Sequence, residues 1–354
     1  MGNKQQIFMS QRTESIEIWG QKGKISLMFC MAFGLCIYGI LASLTGWSSF
    51  HFQLHDLLRL WQEVNPHDMT QQVLRYLRAP RTLCSLLIGS NLAIAGVLMQ
   101  ALTRNPLASP SVLGVNAGAA CAITLASLSI PIFGEISVLV AALVGAAIVG
   151  VAVMILGGIF QPNTSPLRLI LAGIAMGMFL MGVTRFAVIL SDEQAYSMLQ
   201  WLAGTLSNTT WHDWAMLWPC SLAGSVLALS IVRKLNLLML GEKMAQALGT
   251  NLIQLRILAC LSILLLSAVS VAVAGPIGFV GLLIPHIARK LVGHSLLLLL
   301  PMSAILGAGL LTCADAISRG VSYPTETPVG LITALIGTPC FLLIVLKRRN
   351  DASA

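Results

Sequence analysis

The sequence predicts an all-α, polytopic membrane protein of ten transmembrane helices. Two observations predict it. Of 354 residues, 56% are hydrophobic and only 10% are charged, whereas a soluble domain carries roughly a quarter charged residues. The charges also bracket long uncharged runs, and a helix needs about 20 apolar residues to cross the hydrocarbon core. A soluble helical core does not repeat runs of that length so many times.

The elements follow in order from the gaps between charges. Residues 1–24 are polar and read as a cytoplasmic N-terminal tail. The first span is 25–45, after Lys24. It lacks the small-residue cleavage site and polar break of a signal peptide, so it reads as uncleaved. The second is 82–103, between Arg81 and Arg104. Residues 105–134 are uncharged, but Pro106 and Pro110 shorten the helix to about 111–130, because proline lacks an N–H and clashes with the preceding turn. The fourth and fifth are 136–160 and 169–190, with Arg185 near the end of the latter. The sixth, 214–232, lies between Asp213 and Arg233. Residues 257–288 are too long for one helix. Gly275-Pro276 and Pro285 divide them into a span ending near Ala274 and a short one over 277–290. Residues 297–314 and 328–346 complete the ten. Residues 25–349 thus form one ten-helix unit, and 350–354 are a C-terminal tail.

Lys and Arg in short loops set orientation. With the N-terminus inside, only Arg59, Arg75, Arg78, Arg81, Arg185 and Arg319 fall outside, six of the 21 Lys and Arg, so both termini are expected in the cytoplasm. The net charge of +8 follows from this bias. No basic domain for nucleic acid exists. The eight cysteines sit in or beside apolar runs without a CxxC pair, and the six histidines lack metal spacing. Cysteine reads as a small apolar packing residue, and no metal or other cofactor is expected.

Small residues and prolines recur at one offset. Ala93, Ala95, Gly96, Pro106 and Gly114 match Ala272, Ala274, Gly275, Pro285 and Gly293, each 179 residues on. Two related halves would explain this, as in many transporters. The alternative, that membrane helices in general share such residues, stays open.

Chemistry is sparse. No GxxxxGK[ST] phosphate loop is present, so ATP is not bound in that manner. No HExxH occurs, and Asp315 is the deepest of 13 acidic residues. Carriers driven by protons or sodium place ionisable groups near the midplane. Their scarcity here argues against secondary transport and against a polytopic enzyme, and points to a partner as the source of energy.

Four motifs occur in order: RAPR (78–81), GSNLAIAGVLMQALTRNPLASPSVLGVNAG (89–118), GPIGFVGLLIPHIAR (275–289) and ETPVGLITALIGTPCF (326–341). Together they resemble the permease family of bacterial ABC importers for iron–siderophores, haem and cobalamin, from about residue 25 to 349. ILAGIAMGMFLMGVTR (170–185) followed by WLAG (201–204) looks most like ferric-citrate-type permeases. The resemblance implies a non-catalytic, multi-pass subunit of the bacterial inner membrane that moves a ferric chelate inward. A cobalamin or haem importer is the alternative. It implies a second permease subunit, with a heterodimer favoured, two cytoplasmic ATPase subunits and a periplasmic binding protein.

The resemblance also implies site residues. Arg78, Arg81 and Arg319 are expected to receive acidic residues of the binding protein, a task suited to a planar, permanently charged fork. Simple interfacial anchoring is the alternative. The stretch 233–256 is the longest inner loop, broken by Leu240-Gly241-Glu242 and Leu248-Gly249. Leu240, Gly241, Glu242, Ala245, Leu248 and Gly249 are expected to couple to the ATPase. The turn 105–110 reads as structural, and His286 as a hydrogen-bonded helix-end residue rather than a ligand. From the residues themselves, Arg185 is a candidate for the substrate path, because a lone cation in an apolar run must face protein or water. The alternatives are pairing with Asp192 or Glu193, or reaching the headgroups.

Overall fold

The computed structural model describes residues 2–47, 68–127, 138–158, 161, 166–190, 195–323 and 325–353. Arg59, Asp192 and Glu193 and the ends of the expected fourth span lie outside the described residues. Among the described residues every regular element is helical.

Helix α1 spans Gly2–Thr45 and runs through the polar tail without a break. Helix α2 spans Met69–Thr103. Asp68 caps it, its carboxylate accepting from Thr70 N at 3.0 Å and Gln71 N at 3.3 Å. It widens into a π-helical turn over Val73–Arg78 and regains α geometry at Ala79. Charge alone placed its start at residue 82. Pro80 does not stop the helix because it falls where the π turn has already shifted the backbone ladder. Arg104 ends α2 in the left-handed conformation, at φ 49°.

A 3-10 turn at Pro110–Leu113 leads into α3, Val115–Ser127. Then come α4 (Val138–Leu156), α5 (Pro166–Leu190) and the short α6 (Ala195–Leu202), which the charge gaps did not reveal. A capping box of Thr210 and Asp213 opens α7, Trp211–Met239, satisfying orphan N–H groups of its first turn. Helix α8 is a six-residue piece, Glu242–Ala247. Helix α9 spans Leu252–Ala274 and α10 is the short Val280–Val292. Helix α11, Leu296–Val321, continues past residue 314 with Asp315 and Arg319 inside it. Helix α12 spans Val329–Ser353.

Six of these are long and apolar enough to cross a membrane: α1 from Gly23, α2, α5 from Leu167, α7, α9 and α11. Val115–Ala126, Val140–Leu156 and Val329–Leu343 are shorter apolar helices.

Helix α2 is the axis of the bundle, packed by α11, α9, α7 and α10. In lipid, helices associate through close van der Waals packing rather than a hydrophobic drive. Small residues make that contact. A Cβ on Gly96 would strike the Gly281 backbone, and one on Gly89 would strike Gly307. Gly118 and Gly145 fit α3 to α4 in the same way. A polar knot lies in the same core: Asn91 Nδ2 donates to Ser221 Oγ at 2.7 Å and to Ser270 Oγ at 3.2 Å. Burial is uneven. In the most apolar 18 residues of α2, 78% are buried, against 17% in α5. One end of the bundle gathers Arg78, Arg81 and Arg319. The opposite end carries α8.

Candidate functional site

At the first end, α2 and α11 gather three arginines, two of them around one carboxylate. Asp315 is fully buried. Arg81 Nε donates to its Oδ1 at 2.8 Å, and Arg319 Nη2 lies 3.4 Å from its Oδ2. Ser43 Oγ donates to the same Oδ2 at 3.1 Å, tying in α1. Arg81 Nη1 also grips Glu326, at 2.9 and 2.8 Å from the two carboxylate oxygens. Arg319 Nη2 donates to the Ser43 carbonyl at 2.7 Å. Arg78 Nη1 donates to the carbonyls of Leu44 at 2.8 Å and Gly46 at 2.9 Å, at the end of α1. Buried charges require such partners, because desolvation is otherwise prohibitive.

The arginines expected as outward hooks are therefore 8%, 7% and 5% exposed for Arg78, Arg81 and Arg319. The pairing partners, Asp315 and Glu326, lie 234 and 245 residues from Arg81, and no local spacing signals them.

At the opposite end, the break between α7 and α9 forms a shelf. Gly241 sits at φ +119°, a conformation that favours glycine, and turns the chain into α8. Gly249, at φ +79°, turns it out again. Ala245 is buried beneath the shelf. Leu240, Met244 and Leu248 recur every four residues and are 70%, 53% and 57% exposed. The expected coupling residues thus divide in two. Leu240 and Leu248 face outward, joined by Met244, which sequence reasoning missed although its spacing signals it. Glu242 instead turns inward, its Oε1 lying 3.1 Å from Arg104 Nη2 and 3.0 Å from Arg256 Nη2.

Between the two ends, α3, α5 and α6 enclose a cleft of about 890 Å³. Its walls are mostly apolar, with Gly173, Gly177, Met178 and Met181 from α5 and Leu199 and Leu202 from α6. Ser111, Asn116 and Thr184 add polar groups, and Arg185 is the charged residue of the lining. Arg185 is exposed, and its Nη2 contacts Met181 Sδ at 3.7 Å. A mainly apolar cleft with few polar groups is the usual form of a small-molecule site. Among the described residues, no group of three His, Cys, Asp or Glu is placed to hold a metal ion.

The profile of the FecCD transport family matches residues 27–347. The chain belongs to the FecCD transport family. The match spans α1 to α12, so the arginine cluster, the shelf and the cleft are all parts of a FecCD-family chain. The chain is similar to the Fe(3+)-citrate import system permease protein YfmD of Bacillus subtilis, at 42% identity over 92% of this chain and 96% of that protein. It is equally similar to the Fe(3+) dicitrate transport system permease protein FecC of Escherichia coli, at 42% identity over 79% of this chain and 85% of that protein. Among solved structures, an inward-facing metal-chelate type ABC transporter superposes with a TM-score of 0.78 at 32% identity, over 91% of this chain and 99% of that one. The FecCD match and these relatives agree with an all-helical membrane permease.

Proposed function

We propose that this chain is the membrane permease subunit of a binding-protein-dependent ABC importer that carries a ferric chelate, ferric citrate first, into the cytoplasm. One observation carries the reading: 42% identity over most of the chain to two ferric-citrate permeases. The subunit performs no chemistry of its own, and ATP is hydrolysed on two partner subunits. It sits in the inner membrane with ten spans and both termini inside. The six apolar long helices, three shorter ones and α10 support that count.

Each region then has a part. The shelf, with Leu240, Met244 and Leu248, faces the ATPase. Gly241, Ala245 and Gly249 give it shape. The cluster of Arg78, Arg81 and Arg319 forms the positive floor of the outer face on which the binding protein docks. The bonds they already make support action through the shape and field of that floor, with Glu326 moving aside. Arg185 draws an anionic chelate into the cleft, since a fixed cation in a low-dielectric mouth raises the local concentration of anions. The exposed face of α5 meets a second permease subunit, which a ferric-citrate-type system supplies as a different chain. Two related halves also fit: Asn91 and Ser270 touch at 3.2 Å and lie 179 residues apart, as residues on a pseudo-twofold axis would.

Reconstitution tests the reading. The chain is co-produced with its ATPase, second permease and binding protein, and vesicles are assayed for ATP-dependent uptake of ferric citrate, cobalamin and haem. Ferric citrate is expected to accumulate. Uptake of cobalamin or haem in its place overturns the choice of cargo, and no ATP-dependent uptake overturns the importer.

A further inference from the structure

The Glu242 carboxylate holds together parts of the chain that are far apart in sequence. Arg104 ends α2, and Arg256 lies in the second turn of α9; both reach Glu242 Oε1, at 3.1 and 3.0 Å. Two separate observations indicate that the arrangement is built. Arg104 occupies the left-handed region at φ 49°, where glycine or asparagine is usual at a helix end. A side chain that carries a backbone penalty is retained there and reaches a partner. Arg256 is 8% exposed, and a cation so buried needs a carboxylate. Glu242 is the carboxylate that it meets.

The contacts continue beyond α9. Arg256 Nη1 donates to the Gln161 carbonyl at 3.4 Å. Gln161 Oε1 accepts from Arg168 Nη1 at 3.1 Å. Arg168 is in the first turn of α5, the helix that lines the cleft. A chain of charged and polar contacts therefore runs from the shelf through α9 to the first turn of α5, with a side arm to Arg104 at the end of α2.

We propose that Glu242 is a positioning residue that transmits movement of the shelf to α2, α9 and, through Arg256, Gln161 and Arg168, to α5, rather than a contact for the ATPase. This rests on the importer reading above. When the ATPase moves the shelf, the apolar face of Leu240, Met244 and Leu248 is pushed, and Glu242 carries the displacement inward. Neutralising Glu242 leaves the pushed face intact and cuts the link behind it.

The test uses the full importer in vesicles, measuring three quantities: ATPase co-purification, ATP hydrolysed, and ferric citrate taken up. Glu242→Gln is expected to keep the ATPase bound while uptake per ATP falls about tenfold, within the ordinary range of coupling between sites. The exchange Glu242→Arg with Arg256→Glu restores the central pair and is expected to regain most of the ratio, although Arg104 then faces a like charge. Arg104→Gln removes only the exposed arm and is expected to lower the ratio less. Loss of ATPase binding in Glu242→Gln, with an unchanged ratio in whatever complex remains, makes Glu242 a direct contact and overturns the proposal. An unchanged ratio in a fully assembled complex overturns it as well. If Glu242→Gln does not assemble, Arg104→Gln and the charge exchange decide, and a wild-type ratio in Arg104→Gln with no recovery in the exchange sinks the idea. Failure of the wild-type chain to couple uptake to ATP is a different result, and it removes the importer reading itself.

Discussion

Arg81 and Asp315 meet at 2.8 Å across α2 and α11, although 234 residues separate them. The pair is 9% and 0% exposed at its side chains, and Arg319 completes a triad around the same carboxylate. Asp315→Ala leaves Arg81 with Glu326 alone and takes from the buried Arg319 its carboxylate. Breaking a buried pair from one side costs about 3–5 kcal/mol, so the detergent-solubilised chain is expected to unfold at clearly lower temperature. Asp315→Ala with Arg319→Met removes the stranded cation as well and is expected to recover part of that loss. A melting temperature within error of wild type for Asp315→Ala alone removes the structural role of the triad.

Glu326 competes with any outside carboxylate for Arg81, because its side chain is 39% exposed while Arg81 is enclosed. Glu326→Gln is therefore expected to tighten docking of the binding protein by about two- to fivefold, the scale of one partly exposed charge. Arg78→Gln with Arg81→Gln is expected to weaken it. Both effects should fade with salt, since the Debye length is ~8 Å at physiological ionic strength. Binding of the loaded binding protein to immobilised permease reads all three. Weaker docking in Glu326→Gln would mean that the rim acid itself is the contact.

Leu240 and Leu248 present exposed apolar surface, the face proposed above to meet the ATPase. Fully burying one such side chain contributes about 1.5–3 kcal/mol. Leu240→Ser with Leu248→Ser is expected to lower ATPase affinity by at least about tenfold while leaving the chain in the membrane, because neither side chain belongs to the buried core. A titration of purified ATPase against the variant measures this. Equal affinity would exclude the shelf as the contact.

Arg185 is the cation of the cleft lining. Arg185→Gln is expected to lower uptake of anionic ferric citrate by several-fold and to spare a neutral ferric chelate, if one is carried. Uptake of both, with binding-protein docking as control, separates attraction of an anion from a general defect. An equal loss for both cargoes makes Arg185 structural.

Charge gaps and prolines located most of the helices, because lipid forbids charge within a span and so punctuates the sequence at every crossing. They misplaced the start of α2 and the end of α11 for one reason. Arg78, Arg81, Asp315 and Arg319 are charged yet buried, and mutual pairing lets them sit inside helices where an isolated charge would mark an edge. Helix α6 escaped notice because it is too short for a membrane span. The shelf was legible in its glycines and leucines. The inward turn of Glu242 was not, since its partners Arg104 and Arg256 come from two other helices and only the folded chain brings them together.

The contrast between α2 and α5 has an evolutionary consequence. Most positions in the apolar stretch of α2 are buried against other helices, so drift there threatens folding before it can alter cargo. Substitutions at the cleft-lining positions of α5, such as Gly173, Gly177, Met178 and Met181, disturb little of the packing within this chain. If the cleft takes the cargo as proposed, new preferences can arise at those positions with the bundle axis left intact, and a mutational library aimed at a different metal chelate belongs on the cleft-lining residues of α5 rather than on α2.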